Sequence, residues 1–275
     1  MTPKTVWAVY FSGTGTTERT VTHIAGELAR LLAAPCRSLD FTRPQVRQQE
    51  LNFCQSDLVV LGTPVYAGRV PNVLLPFLRE KVRGGGALAV PVVLFGSRNY
   101  DDALIELRDI LQEDGFRCVA AGAFVGEHSF SRTLGAGRPD DGDMAGQAAF
   151  AREICEKLAG QAGTENTPVA VRGETPIRPY YTPRDRHGNP INILKVKPKT
   201  DPDRCSGCGL CAELCPMGSI DPADVSQVRG ICIKCCACVK KCPSGAKYFD
   251  DPGYLLHQHE LEDVYTRRAE NEWFV

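Results

Sequence analysis

Along the first 160 residues, short apolar runs alternate with longer amphipathic ones. Thr5 to Phe11, rich in Val and aromatic residues, predicts a buried strand. Cys36 to Leu39, Asp57 to Gly62, Leu88 to Phe95 and Arg117 to Val125 predict four more. Between them, Thr17 to Leu32 sets Val21, Ile24, Ala25 and Leu28 on one helical face, and Asn72 to Val82 and Asp143 to Leu158 also carry helical spacing. A further helix is expected to be capped by Asp101 and Asp102 and to stop at Gly115. Five strands alternating with helices predict a doubly wound parallel sheet covered on both faces, an α/β fold.

From Gly160 to Asp203 the pattern breaks. Seven of the nineteen prolines fall here, which disfavours regular helix and predicts an extended connector. Ile177, Tyr180, Tyr181, Ile191, Ile193, Leu194 and Val196 are too apolar for a free linker, so it is expected to lie against folded parts of the chain. Beyond a cysteine-rich module, Tyr248 to Val275 predicts a helix with Leu261, Val264, Tyr265 and Arg268 on a face turned toward the chain itself. The expected divisions are an α/β domain over 1–160, a connector over 161–199, a small α+β module over 200–248 and a helical tail over 249–275.

Composition narrows the function classes. The 275 residues are 43% hydrophobic and 24% charged, with 32 Lys+Arg against 33 Asp+Glu and a net charge of −1. That balance excludes a broadly basic nucleic-acid binder. The longest apolar stretch, Ala87 to Phe95, is well short of the about 20 residues of a membrane span. The N-terminus runs into a strand without a signal-peptide pattern, so the expected location is the cytoplasm.

Nine of the thirteen cysteines lie between Cys205 and Cys242, and such clustering in a reducing compartment points to metal ligation. Cys36, Cys54, Cys118 and Cys155 sit among apolar neighbours and read as small buried side chains. Cys205, Cys208, Cys211 and Cys215 have the spacing C-x2-C-x2-C-x3-C-P, and Cys232, Cys235, Cys238 and Cys242 repeat it. Three closely spaced thiolates wrap three corners of a cubane, and in a duplicated run the fourth ligates the other cluster. Cluster I is therefore assigned to Cys205, Cys208, Cys211 and Cys242, and cluster II to Cys232, Cys235, Cys238 and Cys215. Two structural zinc sites are the competing reading, which this unbroken spacing suits less well. The segment from about 200 to 248 resembles the bacterial ferredoxins that carry two [4Fe-4S] clusters. Cys236 is a ninth cysteine inside the second run, read either as a packed small residue or as a cluster-conversion or oxidation-sensitive thiol. Between Lys195 and Lys247, nine Lys+Arg stand against five Asp+Glu, so two oxidised cubanes of charge −2 each leave the module near neutral. Such a module suits contact with its own chain or an acidic partner.

The first predicted strand leads into Ser12, Gly13, Thr14, Gly15, Thr16 and Thr17 and then a helix. A hydroxyl-dense, Gly-rich strand-to-helix turn is an anion site, and without a G-K-[ST] triplet it disfavours a nucleotide triphosphatase. A dinucleotide site would use Gly13, Gly15 and Asp40, but Glu18 stands at the third glycine position. A turn with no ligand is the bland alternative. The loop resembles the phosphate loop of flavodoxins, which implies FMN and the sheet order 2-1-3-4-5. By that resemblance the flavin ring falls to Thr63, Pro64, Val65, Tyr66, Ala67 and Gly68, and to Gly96, Ser97, Arg98, Asn99 and Tyr100. Tyr66 and Tyr100 could stack on the ring, or pack under loops. The peptide near Gly68 is implied to reorient at flavin N5. His128, in the strand-end segment Gly126 to Ser129, is a weak candidate proton donor. His257 and His259 alternate and read as solvated side chains rather than a metal pair.

The whole chain resembles the flavodoxin–ferredoxin fusion proteins of anaerobic bacteria, which implies FMN, two [4Fe-4S] clusters and electron transport. The first expectation is an electron relay between redox partner proteins, fed by a ferredoxin-type donor or a ferredoxin-reducing enzyme. The alternative is a ferredoxin-fed flavin reductase acting on a small organic substrate. A redox sensor built on Cys236 is a third reading. An NAD(P)H-dependent oxidoreductase is disfavoured, because no second nucleotide fingerprint follows.

Overall fold

Successive strand residues face opposite ways, and the first strand shows what this does to the chain. In β1 (Thr5–Tyr10), Val6, Ala8 and Tyr10 enter one apolar core, while Val9 and the following Phe11 enter another. The computed structural model, which describes residues 3–160 and 167–275, therefore has a core on each side of one sheet. β2 (Cys36–Asp40), β3 (Asp57–Pro64), β4 (Leu88–Phe95) and β5 (Ala121–Val125) complete its parallel part, in the order β2-β1-β3-β4-β5. This is the flavodoxin-like order. All eight residues of β4 are buried, as a strand covered on both faces requires, whereas β2 is an exposed edge.

Helices α1 (Thr16–Leu32) and α4 (Asp141–Ala159) cover one face, and α2 (Leu75–Lys81) and α3 (Ala103–Glu113) the other. Asp140 and Asp143 form a reciprocal capping box at the start of α4. The helix expected over 72–82 starts later. Pro76 has no N–H for a bond back to Asn72, and a 3-10 turn over Asn72–Leu74 leads into α2 instead. The strand expected over 117–125 is interrupted after Arg117–Cys118. There the carbonyls of Cys118 and Val119 accept from Val169 N (3.1 Å) and Lys157 Nζ (2.9 Å).

The cysteine module is built on β6 (Lys199–Thr200) and β7 (Lys247–Tyr248), paired antiparallel, with the single-turn helices α5 (Leu210–Glu213) and α6 (Ala237–Lys240). In the tail, α7 (Pro252–Val264) is capped by Asp251 and buries Tyr254, His257 and Leu261. The expected face is thereby corrected. The helix ends at Val264, which is 67% exposed, and Arg268 lies beyond it, paired with Asp140. The chain then returns as β8 (Glu272–Phe274), antiparallel to β5, an element no apolar alternation announced. Trp273 stacks on Phe124 at 6.3 Å and so shields the otherwise open sheet edge.

The first six positions of the expected connector, 161–166, lie outside the described residues. From Val169 to Tyr181 the remainder lies against the α/β part, and farther on Arg186 bonds Glu260 of α7 while Leu194 and Lys197 bond the cysteine module. A Cβ on Gly173 would collide with Ile105, and Arg178 grips Asp102 through Nε (2.9 Å) and Nη2 (2.5 Å). Asp102 thus precedes α3 without capping it through its side chain, because its carboxylate is committed to the connector. The hydrogen bonds from Arg178 hold the fully buried Asp102 carboxyl down at about 2. A lowered folded-state value contributes stability above the ordinary carboxylate range near 4, lost as pH falls through about 2. Asp102→Asn is expected to cost about 2 kcal/mol at pH 7, less whatever screening Arg178 suffers at 44% exposure. Its urea midpoint should then fall less than that of the parent protein between pH 4 and pH 2. Equal losses would show that this pair does not anchor the connector.

Candidate redox site at the strand ends

The carboxyl ends of the parallel strands carry the loops expected to bind a ligand. At the first, Gly15 adopts φ +102°, which lets the chain turn from β1 into α1. Ser12 Oγ accepts from the N–H groups of Gly15 and Glu18, both at 3.1 Å, and so shapes the loop from within. Ser12 N–H donates to Thr42 Oγ1 at 2.8 Å, tying the loop to the segment after β2. The first turn of α1 leaves backbone donors facing the loop's concave side.

After β3, Tyr66 and Arg69 exchange backbone hydrogen bonds (3.0 and 3.2 Å) across Ala67 (φ +52°) and Gly68 (φ +77°). Two consecutive positive φ values make this a tight, primed turn. The connector fastens it, because Tyr181 N–H donates to Ala67 O at 2.8 Å. A Cβ on Gly68 would run into Asp101, so the turn lies directly against the loop after β4. Arg98 of that loop pairs with Asp101 and lies over the Tyr181 ring at 4.4 Å.

Tyr66 and Tyr100 are placed differently. Tyr66 keeps part of its surface accessible although burial, and then the thiols of Cys235, Cys236 and Cys232, hold its hydroxyl pKa well above the usual range. Tyr100 is 1% exposed, packs on Phe95 at 5.5 Å, lies beneath Arg172 and donates to Glu272 Oε2 at 2.5 Å. The stacking expected of Tyr100 is therefore corrected to a core position, because its hydroxyl is claimed by the tail strand. Thr63 Oγ1, at the end of β3, is buried with no hydrogen-bond partner among the described residues. The loop donors, the half-exposed Tyr66 and this orphaned hydroxyl fit a flavin phosphate and ring.

His128 lines the same end of the sheet. Its Nδ1 accepts from Phe130 N–H at 3.1 Å, so the ring proton sits on Nε2. Burial, then the nearby Lys240, lowers its pKa to about 4. His128, Phe130, Tyr254 and His257 form an edge-to-face cluster joining the strand-end loop to α7. His257 is buried in that cluster while His259 points to solvent, so the two do not converge.

The cysteine module abuts these loops. One cavity is lined by Cys215, Cys232, Cys235 and Cys238, with Cys236, Met217 and Phe249 also in its wall. A second is lined by Cys205, Cys208, Cys211 and Cys242. Among the described residues no three His, Cys, Asp or Glu side chains converge tightly enough to hold one metal ion. The thiols instead stand around the cavity walls, five in the first, Cys236 included, and four in the second. Ser219 N–H points at Cys215 Sγ (3.4 Å) and Ala246 N–H at Cys242 Sγ (3.3 Å), an equivalent contact in each half of the duplicated motif. This donor set fits iron–sulfur centres, whose ligand sulfurs accept such hydrogen bonds.

Sequence reasoning missed the residues that clamp the module in place. Lys240 Nζ pairs with Glu127 and donates to His128 O (2.7 Å). Arg47 donates to Phe41 O (2.9 Å), Thr42 O (2.5 Å) and, across the junction, Pro216 O (2.5 Å). Only their charge was visible in the sequence, and their partners across the junction lie over a hundred positions away.

Residues 198–221 match the family model of the 4Fe-4S binding domain, a stretch that includes Cys205, Cys208, Cys211 and Cys215. No curated protein matches the chain. Among solved structures, a flavodoxin from the domain Archaea is 13% identical, with a TM-score of 0.41 over 57% of this chain and 99% of its own. The Streptococcus pneumoniae TIGR4 flavodoxin is 19% identical, with a TM-score of 0.40 over 56% of this chain and 99% of its own. A Fusobacterium nucleatum flavodoxin mutant bound to flavin mononucleotide is 16% identical, with a TM-score of 0.36 over 56% and 97% of the two chains. Among the described residues no helix is long and apolar enough to cross a membrane. The chain thus joins a flavodoxin-like α/β fold to a segment that matches the 4Fe-4S binding domain over residues 198–221.

Proposed function

We propose that this protein relays electrons between two [4Fe-4S] clusters and FMN. One cluster falls to Cys205, Cys208, Cys211 and Cys242, the other to Cys232, Cys235, Cys238 and Cys215. What supports the reading is the pair of cavities, each bordered by three cysteines of one run and the last cysteine of the other. When bound, the clusters exchange single electrons and FMN one or two. The residues of the chain hold and tune these groups. The loop Ser12–Thr17 would take the flavin phosphate, and the turn over Thr63–Gly68 with Gly96–Asn99 the ring. Lys247, 3% exposed, lines the cavity of Cys205, Cys208, Cys211 and Cys242, and Lys234, 8% exposed, lies beside Cys232 of the other. Two desolvated cations so placed favour added negative charge on the sulfur ligands. The proposed partners are one-electron redox proteins, a ferredoxin-type donor or a ferredoxin-reducing enzyme. The joined modules agree with the resemblance to flavodoxin–ferredoxin fusion proteins.

The alternative, a flavin reductase for a small organic substrate, needs an acid above the flavin. His128 serves poorly, since a ring held neutral down to about pH 4 has only its Nε2–H at pH 7, a far weaker acid than an imidazolium. By NMR its ring is expected to titrate below pH 5 and to stay unchanged between pH 6 and 8. Because its folded-state value is lowered, stability is complete above the unfolded value near 6.5 and is lost as pH falls toward 4, by up to roughly 3 kcal/mol. His128→Gln should remove that loss, and a ring titrating near pH 6.5 would restore the reductase reading.

Anaerobic isolation with reconstitution should give about eight iron and eight acid-labile sulfides per chain, with one FMN. Zinc without sulfide would overturn the cluster assignment. Replacing Thr14 and Thr16 with Ala should release FMN while the iron and sulfide content stays. Retained flavin would refute the phosphate-loop assignment.

A further inference from the structure

The two cysteine cavities are not equivalent in the fold. Cys208 and its neighbours Ser206 and Gly207 are exposed, so their cavity is the outer one. Cys235, in the wall of the other, is 8% exposed, and the adjoining Ile233 packs against the α/β core. A Cβ built on Gly13 would lie 3.0 Å from Cys235 Cβ and 3.4 Å from its Sγ. Gly13 belongs to the loop whose turn shapes an anion site. A cysteine of the inner cavity and the anion loop are thus in van der Waals contact, and the contact exists because residue 13 has no side chain. Lys240 and Arg47 clamp the junction from two sides.

We propose that the Gly13–Cys235 contact couples the inner iron–sulfur centre, and not the outer one, to occupancy of the phosphate loop. The inference rests on the cofactor reading above. A phosphate and a reduced cluster carry charge of the same sign, and Ser12, Thr17 and Cys235 are all buried, so solvent and counterions screen their interaction poorly. A filled loop therefore disfavours adding an electron to the inner centre. The outer centre, whose Cys208 faces solvent, is screened. Linkage makes the effect reciprocal: taking up one electron at the inner centre loosens FMN by the same factor, roughly fivefold or more. The relay then has an order, with the solvent-facing centre toward the partner protein and the inner centre toward the flavin loop.

The test is an EPR-monitored redox titration of the reconstituted full-length protein, with dithionite as the electron source, in FMN-loaded and FMN-free forms. Cys208→Ser and Cys235→Ser assign the two cluster signals. FMN is expected to lower the midpoint of the inner signal and leave the outer one in place, and riboflavin, which lacks the phosphate, should not reproduce the shift. Gly13→Ala, which forces the two loops apart by a few tenths of an ångström, should shrink it. If both signals move equally, or neither moves, while flavin and eight iron are bound, the inference is overturned and the cofactor reading stands. A protein that takes up no flavin, or no iron with sulfide, overturns the cofactor reading and this inference together.

Discussion

The arrangement depends on how two positively charged side chains spend their hydrogen bonds at the junction. Strand ends and turns leave carbonyl oxygens that no ladder or helix uses. Arg47 collects three of them, two from the segment after β2 and one from Pro216, which follows Cys215. Lys240 joins the carboxylate of Glu127 to the carbonyl of His128. Charge-assisted bonds of this kind are strong and directional, and losing one partner would leave carbonyls or a carboxylate unpaired in a desolvated place. They fix the cysteine module over the carboxyl ends of the strands, where an open α/β sheet binds its ligands. From that placement follow the contact at Gly13 and the seat for α7.

The connector and the tail hold the same region from outside. Arg69 binds the fully buried Glu106 through both oxygens (2.6 and 2.7 Å), donates to Arg178 O and lies over the Tyr180 ring. Arg178 does the same for Asp102. The two buried carboxylates on α3 and its approach are thus neutralised by arginines that also grip the connector, so the turn at Ala67 and Gly68 is fixed by packing rather than free. Arg138 repeats the device in the tail, pairing with buried Asp143 while donating to Ala269 O. Breaking any of these leaves a buried charge without a partner, the costly case for an ion pair.

What could be read from the sequence was local. The apolar runs of Thr5 to Phe11 and of Leu88 to Phe95 report directly on strands buried on both faces, because side-chain direction follows from backbone geometry alone. The hydroxyls and glycines of the first loop likewise act within six residues of one another. Tyr100 shows where such reasoning ends. Its position beside a strand end suggested a ligand contact, yet its hydroxyl partner Glu272 lies 172 positions away. Asp102 reads as a helix cap, but its carboxylate goes to an arginine 76 positions on. β8 is only three residues long, too short for any periodicity to declare itself.

The duplicated motif contains one more constraint, visible once its halves are laid side by side. Gly207 and Gly209 adopt φ +68° and +72° in the first run, and Lys234 and Cys236 hold the corresponding positions at +53° and +59° in the second. A left-handed conformation is easy for glycine and costs a side-chain-bearing residue about 1 kcal/mol or more. The second run tolerates it because both side chains have work at the junction. Lys234 Nζ donates to Leu194 O in the connector (2.6 Å) and to Cys232 O (3.0 Å), and Cys236 Sγ meets the Tyr254 hydroxyl of α7 at 3.3 Å. At the glycine places of the first run there is no side chain to make such ties, and Gly207 and Cys208 are exposed. The departure from glycine therefore marks where the second run is tied to the connector and the tail. It also gives Cys236, surplus to the motif cysteines of its cavity, a packing role between that cavity and the tail helix.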